Sequence, residues 1–252
     1  MAKRFYQIEG KKIPSVTTIL SALDKPTLVP WAAKCVTEYL DDLVAANYPP
    51  GEAIPRADIP QMLADSKKNW RKISQKALDV GTEVHKRIEE FIKDGKLPVL
   101  ANLDPQVALA WEAFSAWVSD NDVEFIESEK IVWYGDSFAG TVDAIATFKG
   151  ERYLIDFKSS KGFYPENGLQ IGGYLLAYNA CNEQNEVRKA GILRLDKLTG
   201  IPDWRDYSEH IYAYTGCFLK VVEFDRAFGK LPKKKSDFKE KEMLINVPDT
   251  KV

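Results

Sequence analysis

FAGTVDAIATFKGERYLIDFKSS, residues 138–160, is the stretch on which the reading of this chain turns. It contains two runs rich in β-branched and aromatic residues, FAGTVDAIATF and ERYLIDFK, joined by Lys149-Gly150. A two-residue hairpin turn needs positive φ, which Gly supplies, so the runs read as an antiparallel pair. With Lys149 and Gly150 as the turn, Phe148 faces Glu151, and on the same register Asp143 lies directly opposite Asp156. Side chains so paired stand with their Cβ atoms roughly 4.5–5.5 Å apart. Lys158, two residues beyond Asp156, projects from the same face. Val142, Ala144, Ala146, Tyr153, Ile155 and Phe157 take the other face, which is continuously apolar. One face is therefore expected to build the core and the other to carry two carboxylates and an ammonium. Opposed like charges are destabilising. A divalent cation with oxygen ligands is one compensation, and a salt-bridge cluster in which Lys158 pairs with both aspartates is the other.

Working outward, VEFIESEKIVWY (123–134) reads as a preceding strand, Pro165–Cys181 as a helix and AGILRL (190–195) as a fourth strand. Residues 211–214 suggest a fifth strand, followed by a helix over 218–228. Toward the N-terminus, residues 5–13 form a hairpin around Glu9-Gly10-Lys11. Ser15 is a plausible N-cap for 16–23. Helical periodicity covers 31–46 and 61–94, the Pro-rich 48–60 is a loop, and Pro105–Asn121 is a further amphipathic helix. The class is α+β, with a mixed central β-sheet flanked by helices. Three regions are expected: an N-terminal hairpin and helical elaboration over 1–76, a core over 77–229, and a basic tail over 230–252.

The 252 residues are 45% hydrophobic and 29% charged, a globular composition that excludes disorder and fibrous repeats. No apolar run reaches the roughly 18 residues of a spanning helix, and MAKRFYQIEGKK has no apolar signal core. Cys35, Cys181 and Cys217 form no CxxC pair, so zinc ribbons and four-cysteine clusters lack ligands. A membrane partner is not expected, and the chain reads as intracellular. Net charge is −2 but uneven: 12 Lys/Arg against 8 Asp/Glu over 1–76, 16 against 25 over 77–229, and 7 against 4 over 230–252. An acidic middle between basic ends suits a cation site framed by a polyanion-binding surface, or is ordinary surface variation.

Three further constellations bear on chemistry. In GTEVHKRIEEFI (81–92), His85 and Glu89 are four apart on a helix, where an imidazole and a carboxylate can act as metal ligand and supporting partner. In LQIGGYLLAYN (169–179), Gln170, Tyr174 and Tyr178 recur at four-residue intervals. There Gly172-Gly173 leaves room for a backbone, a strand or a phosphate. SKKNWRKISQK (66–76) places Lys67, Lys68, Arg71 and Lys72 around Trp70, cations for phosphates and an aromatic for an unpaired base. Each also has a structural reading: a solvated helix face, tyrosines at a sheet edge, or Trp70 turned into the core.

GTEVH, GTVD, IDFKSS and QIGGY, taken in order, resemble the motifs of the PD-(D/E)xK nuclease superfamily. The likeness is to the branch of RecB-type and Cas4-like nucleases, phage exonucleases and the mitochondrial genome maintenance exonuclease. It runs over residues 81–178, and PSVTTIL (14–20) is similar to openings in that branch. The resemblance implies a restriction-endonuclease-like core and a metal-dependent deoxyribonuclease, most simply an exonuclease on single-stranded or frayed ends. A structure-specific endonuclease and a non-catalytic DNA-binding module are the alternatives. It further implies that His85, Asp143, Asp156 and the Phe157 carbonyl ligate Mg²⁺ or Mn²⁺, with Glu89 in support. Lys158 would position the nucleophilic water, and Gln170 and Tyr174 would contact the DNA backbone. Residues 15–76 would form an arch or clamp over the site. The scattered cysteines depart from the iron–sulfur members, so no such cluster is expected. The chain also lacks any GxxxxGK[ST] loop. It therefore reads as a stand-alone nuclease served by a helicase or by a replication or recombination partner, in the cytoplasm of a bacterial or phage-infected cell.

Overall fold

The computed structural model describes residues 3–23, 28–229 and 242–247. The chain divides into two compact units, Met1–Leu23 with Glu83–Val252, and Asp24–Thr82. The N-terminal hairpin thus belongs with the sheet, not with a helical elaboration over 1–76.

In the first unit, β1 (Lys3–Ile8) and β2 (Lys11–Pro14) form the expected hairpin, with Glu9 and Gly10 both at positive φ. Ser15 caps α1 (Val16–Leu20), its Oγ accepting from the Thr18 N–H at 3.0 Å. A third strand, Glu242–Asn246, runs parallel to β1. Part of the expected basic tail is therefore sheet, while the Lys233–Lys235 run lies outside the described residues. Tyr6, Ile8 and Ile13 bury their side chains against Ala139, beside Ile131 and Trp133.

The main sheet is built from β3 (Glu124–Tyr134), β4 (Phe138–Phe148), β5 (Glu151–Lys158), β6 (Lys189–Leu195) and β7 (Pro202–Asp206), in that spatial order. β3, β4 and β5 form an antiparallel meander. β5 and β6 are parallel, joined through the helix Pro165–Cys181, and β7 returns antiparallel. The result is a mixed sheet in an α+β protein. Lys149 and Gly150 both have positive φ, and Phe148 pairs with Glu151 as the turn chemistry dictates. The fifth strand is β7. Residues 211–214, expected as that strand, open the helix Ile211–Gly229. Their alternating Tyr, Ala and Tyr fit either period, and Ile211 and Phe218 are buried at a helical spacing of seven.

Helices cover both faces of the sheet. On one, Phe114 of the helix Pro105–Asn121 meets Phe157 and Trp117 meets Phe148 and Trp204, at centroid distances of 5.0–5.7 Å. On the other, Ile171, Tyr174, Leu175 and Tyr178 of Pro165–Cys181 pack with Ile145, Leu154 and Ile192. The expectation of one apolar and one polar face fails for that reason. Ile145 and Leu154 share the parity of Asp143 and Asp156 and are fully buried. The space left by Gly172 is taken by a helix backbone: a Cβ there would stand 2.8 Å from the Thr215 amide nitrogen.

In the second unit, Leu28–Asn47 is helical, and Asn69 donates to the Cys35 carbonyl at 3.4 Å. The long helix Ile59–Asp94 is continuous through residues 76 and 77 and enters the first unit at Glu83, so no boundary falls where the sequence suggested one.

Candidate metal and phosphate site

The polar groups converge where the β4–β5 ladder ends. Its last pair is Ala144 with Ile155, and one position further Asp143 and Asp156 stand at the predicted register. The Phe157 N–H donates to Asp143 Oδ2 at 2.7 Å, so the carboxylate takes over from the ladder. His85, on the long helix, places Nε2 3.1 Å from the Phe157 carbonyl oxygen and Nδ1 3.6 Å from Asp143 Oδ1. Nε2–H donating to that carbonyl leaves Nδ1 facing the carboxylate, the arrangement that orients a ligating histidine.

Asp156 is 2% exposed. Its Oδ1 accepts from Lys158 Nζ at 3.0 Å, while Oδ2, 2.8 Å from the same nitrogen, is out of hydrogen-bonding alignment and has no other partner among the described residues. Among the described residues Lys158 pairs with Asp156 and not with Asp143, so the cluster in which it bridges both aspartates is not what forms. Each carboxylate has its own cation: His85 for Asp143, Lys158 for Asp156.

Glu129 was not among the residues picked from the sequence. The β3–β4 pairing passes from Ser128–Ala144 to Lys130–Val142, which sets Glu129 opposite Asp143, and Glu129 has φ +50° in the middle of a strand. A left-handed non-glycine residue costs of order 1–3 kcal/mol, and such residues cluster at functional sites. One ligand atom each of His85, Glu129 and Asp143 lie within 4.8 Å of one another. The register arithmetic used for β4 and β5, extended across the Gly135 turn, would have found Glu129; its backbone conformation has no signature in the sequence.

Titration follows from this crowding. Burial and the Asp143 charge push the Glu129 carboxyl up to about 7. Burial, with Asp143 adding, pushes Asp156 up to about 6 against the pull of Lys158. For His85, burial works downward, but Asp143 outweighs it and raises the imidazole to about 9. Asp143 is held below the usual carboxylate range despite its burial, chiefly by His85. Burial and the nearby carboxylates put the Tyr174 phenol well above its ordinary value.

The remaining expected residues fall differently. Glu89 is held by Lys93 Nζ at 2.6 Å, an i,i+4 pair along its own helix, and not by His85. Gln170 donates to the Tyr174 hydroxyl at 3.0 Å. Tyr174 is 7% exposed, its ring lying where a Cβ on Gly140 would be only 2.5 Å away, so the tyrosine is a core residue and not a surface contact. Lys67, Lys68, Arg71 and Lys72 are exposed on the second-unit part of the long helix, with the Arg71 guanidinium 5.4 Å from the Trp70 ring centre.

Fold and site together define a mixed-sheet α+β protein with a histidine–carboxylate–lysine cluster at the end of its central strand. No protein-family model and no curated protein matches the chain. Among solved structures it is similar to one described as the crystal structure of SSO0001, at 12% identity over 60% of this chain and 74% of that one, with a TM-score of 0.28. That distant likeness carries no activity across. No helix among the described residues is long and apolar enough to cross a membrane.

Proposed function

We propose that the protein is a metal-dependent deoxyribonuclease of the PD-(D/E)xK kind, with an exonuclease on single-stranded or frayed ends as the reading to test first. The observation that carries it is the convergence of His85, Asp143, Glu129 and the Asp156–Lys158 pair at one strand end. The fit to a divalent cation rests on the buried Asp156 Oδ2 without a hydrogen-bond donor, and on hard oxygen donors with one imidazole nitrogen. Asp143, Asp156, Glu129 and His85 Nδ1 would hold Mg²⁺ or Mn²⁺, and the Phe157 carbonyl, already accepting from His85, would fix the imidazole. Such an ion would supply Lewis acidity and a bound water of lowered pKa.

The protein's own groups do the rest. Lys158, oriented by Asp156, offers its free N–H donors to a water or to a non-bridging phosphate oxygen. The Phe157 N–H locks Asp143 in one rotamer. Glu129, raised to about 7, and His85, raised to about 9, carry protons at neutral pH that the cluster would give up on taking a cation.

End-labelled linear single-stranded DNA and closed circular DNA, each with EDTA, Mg²⁺ or Mn²⁺, test the reading. Metal-dependent loss of the linear substrate alone is expected. Cutting of both makes it an endonuclease, and binding without cutting makes it a binding module.

A further inference from the structure

Beyond the carboxylates, the same sheet face continues. Asp156 pairs with Ile192 and Ile192 with Arg205, so these three side chains form one row across β5, β6 and β7. Two strand spacings put Arg205 about 10 Å from Asp156. The adjacent row runs from Lys158 to Arg194 to Asp203. Arg194 is neutralised there by Asp196 at 3.0 Å and Asp203 at 3.2 Å. Arg205 differs: among the described residues no carboxylate pairs with it. Its guanidinium lies 4.0 Å from the Phe163 ring centre and near the Tyr207 hydroxyl, whose pKa it draws down against burial, and its five N–H donors exceed those contacts.

Arg205 opens onto a cleft of about 450 Å³ lined by Phe163, Tyr164, Tyr207, His210 and Tyr214, directly after the loop that follows Lys158. Tyr164 is 42% exposed at the start of Pro165–Cys181, where its backbone is tied to Asn167 in both directions. An exposed aromatic on a fixed backbone is a stacking platform. Asp206 also borders the cleft, but its carboxylate already accepts from the Tyr153 hydroxyl and the Ser208 N–H. Glu209 stands 3.9 Å from His210.

We propose that this cleft holds an unpaired nucleotide flanking the scissile phosphate, its base on the Tyr164 ring and its phosphate on Arg205. The proposal rests on the phosphodiesterase reading and specifies its substrate as single-stranded. Stacking needs an unpaired base, and an unneutralised planar guanidinium suits a phosphate.

The test is fluorescence anisotropy of a labelled single-stranded oligothymidylate in EDTA, with the full chain, across a salt series. Arg205→Ala weakens binding about 10-fold and lowers the log–log salt slope by about 0.7, one phosphate contact. Tyr164→Ala weakens it about 5-fold or more with the slope unchanged. Arg188→Ala, at a 76% exposed side chain elsewhere on the surface, is the control and leaves binding alone. Under Mg²⁺, both cleft variants raise KM more than they lower kcat. Circular dichroism melting at the wild-type midpoint shows that the variants fold. If wild type binds and the two cleft variants bind equally well, the cleft assignment is overturned while the nuclease reading stands. If wild type neither binds nor cuts, that reading falls and takes the cleft with it.

Discussion

Asp156 and Phe157 are neighbours in the chain, 2% and 1% exposed, and point to opposite faces of the same strand. On the Phe157 side, burial is met by apolar contact, with the ring edge-on to Phe114 at 5.7 Å. On the Asp156 side it is met by one lysine, and one oxygen has no hydrogen-bond donor. Equal burial thus has opposite energetic signs. Removing atoms from the first side costs stability, whereas on the second a carboxylate is held against its own desolvation.

The comparison can be broken at several points. The largest effect is expected for Asp156→Asn: metal-dependent cleavage falls by about a thousandfold, while the urea midpoint stays at or above wild type. A collapse of the urea midpoint would show that the carboxylate is structural. Phe157→Ala should do the converse, losing about 3–5 kcal/mol in urea unfolding while keeping Mn²⁺ binding, because the backbone groups that meet His85 and Asp143 remain. Lost Mn²⁺ affinity at retained stability would invert the two faces.

Lys158→Ala sharpens the point. It strands a buried carboxylate, at a cost of about 3 kcal/mol. The Asp156 carboxyl is already raised to about 6, so the folded state favours its proton and loses stability as pH rises through that value. The variant's deficit should therefore be smaller at pH 5 than at pH 8, and a deficit independent of pH would show that the Asp156 charge is not its source. The smallest effect is at Glu129→Gln, where Mn²⁺ affinity measured by calorimetry should drop about 10-fold. Unchanged affinity removes Glu129 from the site.

Much of this was legible locally. Lys149-Gly150 set the β4–β5 register because a two-residue turn permits few backbone geometries, and that register predicted where Asp143 and Asp156 stand. Ser15 capped its helix, and the helix over 165–181 was readable from its Pro start and periodicity. Two candidates chosen for their four-residue helical spacing fared otherwise. Glu89 found Lys93 one turn away, and Tyr174 went into the core against Gly140, choices made by neighbours remote in the chain or by helix pitch.

The sequence by itself determined the class, the central hairpin and the identity of the acidic pair and its lysine, because turn residues and periodicity act over a few positions. Only the tertiary structure decided that both sheet faces are covered, that Glu129 joins His85 and Asp143, that Arg205 shares a row with Asp156, and that the C-terminal segment pairs with β1. These depend on cross-strand registers and helix docking between residues far apart in the chain, where burial and charge compensation, not local propensity, select the arrangement.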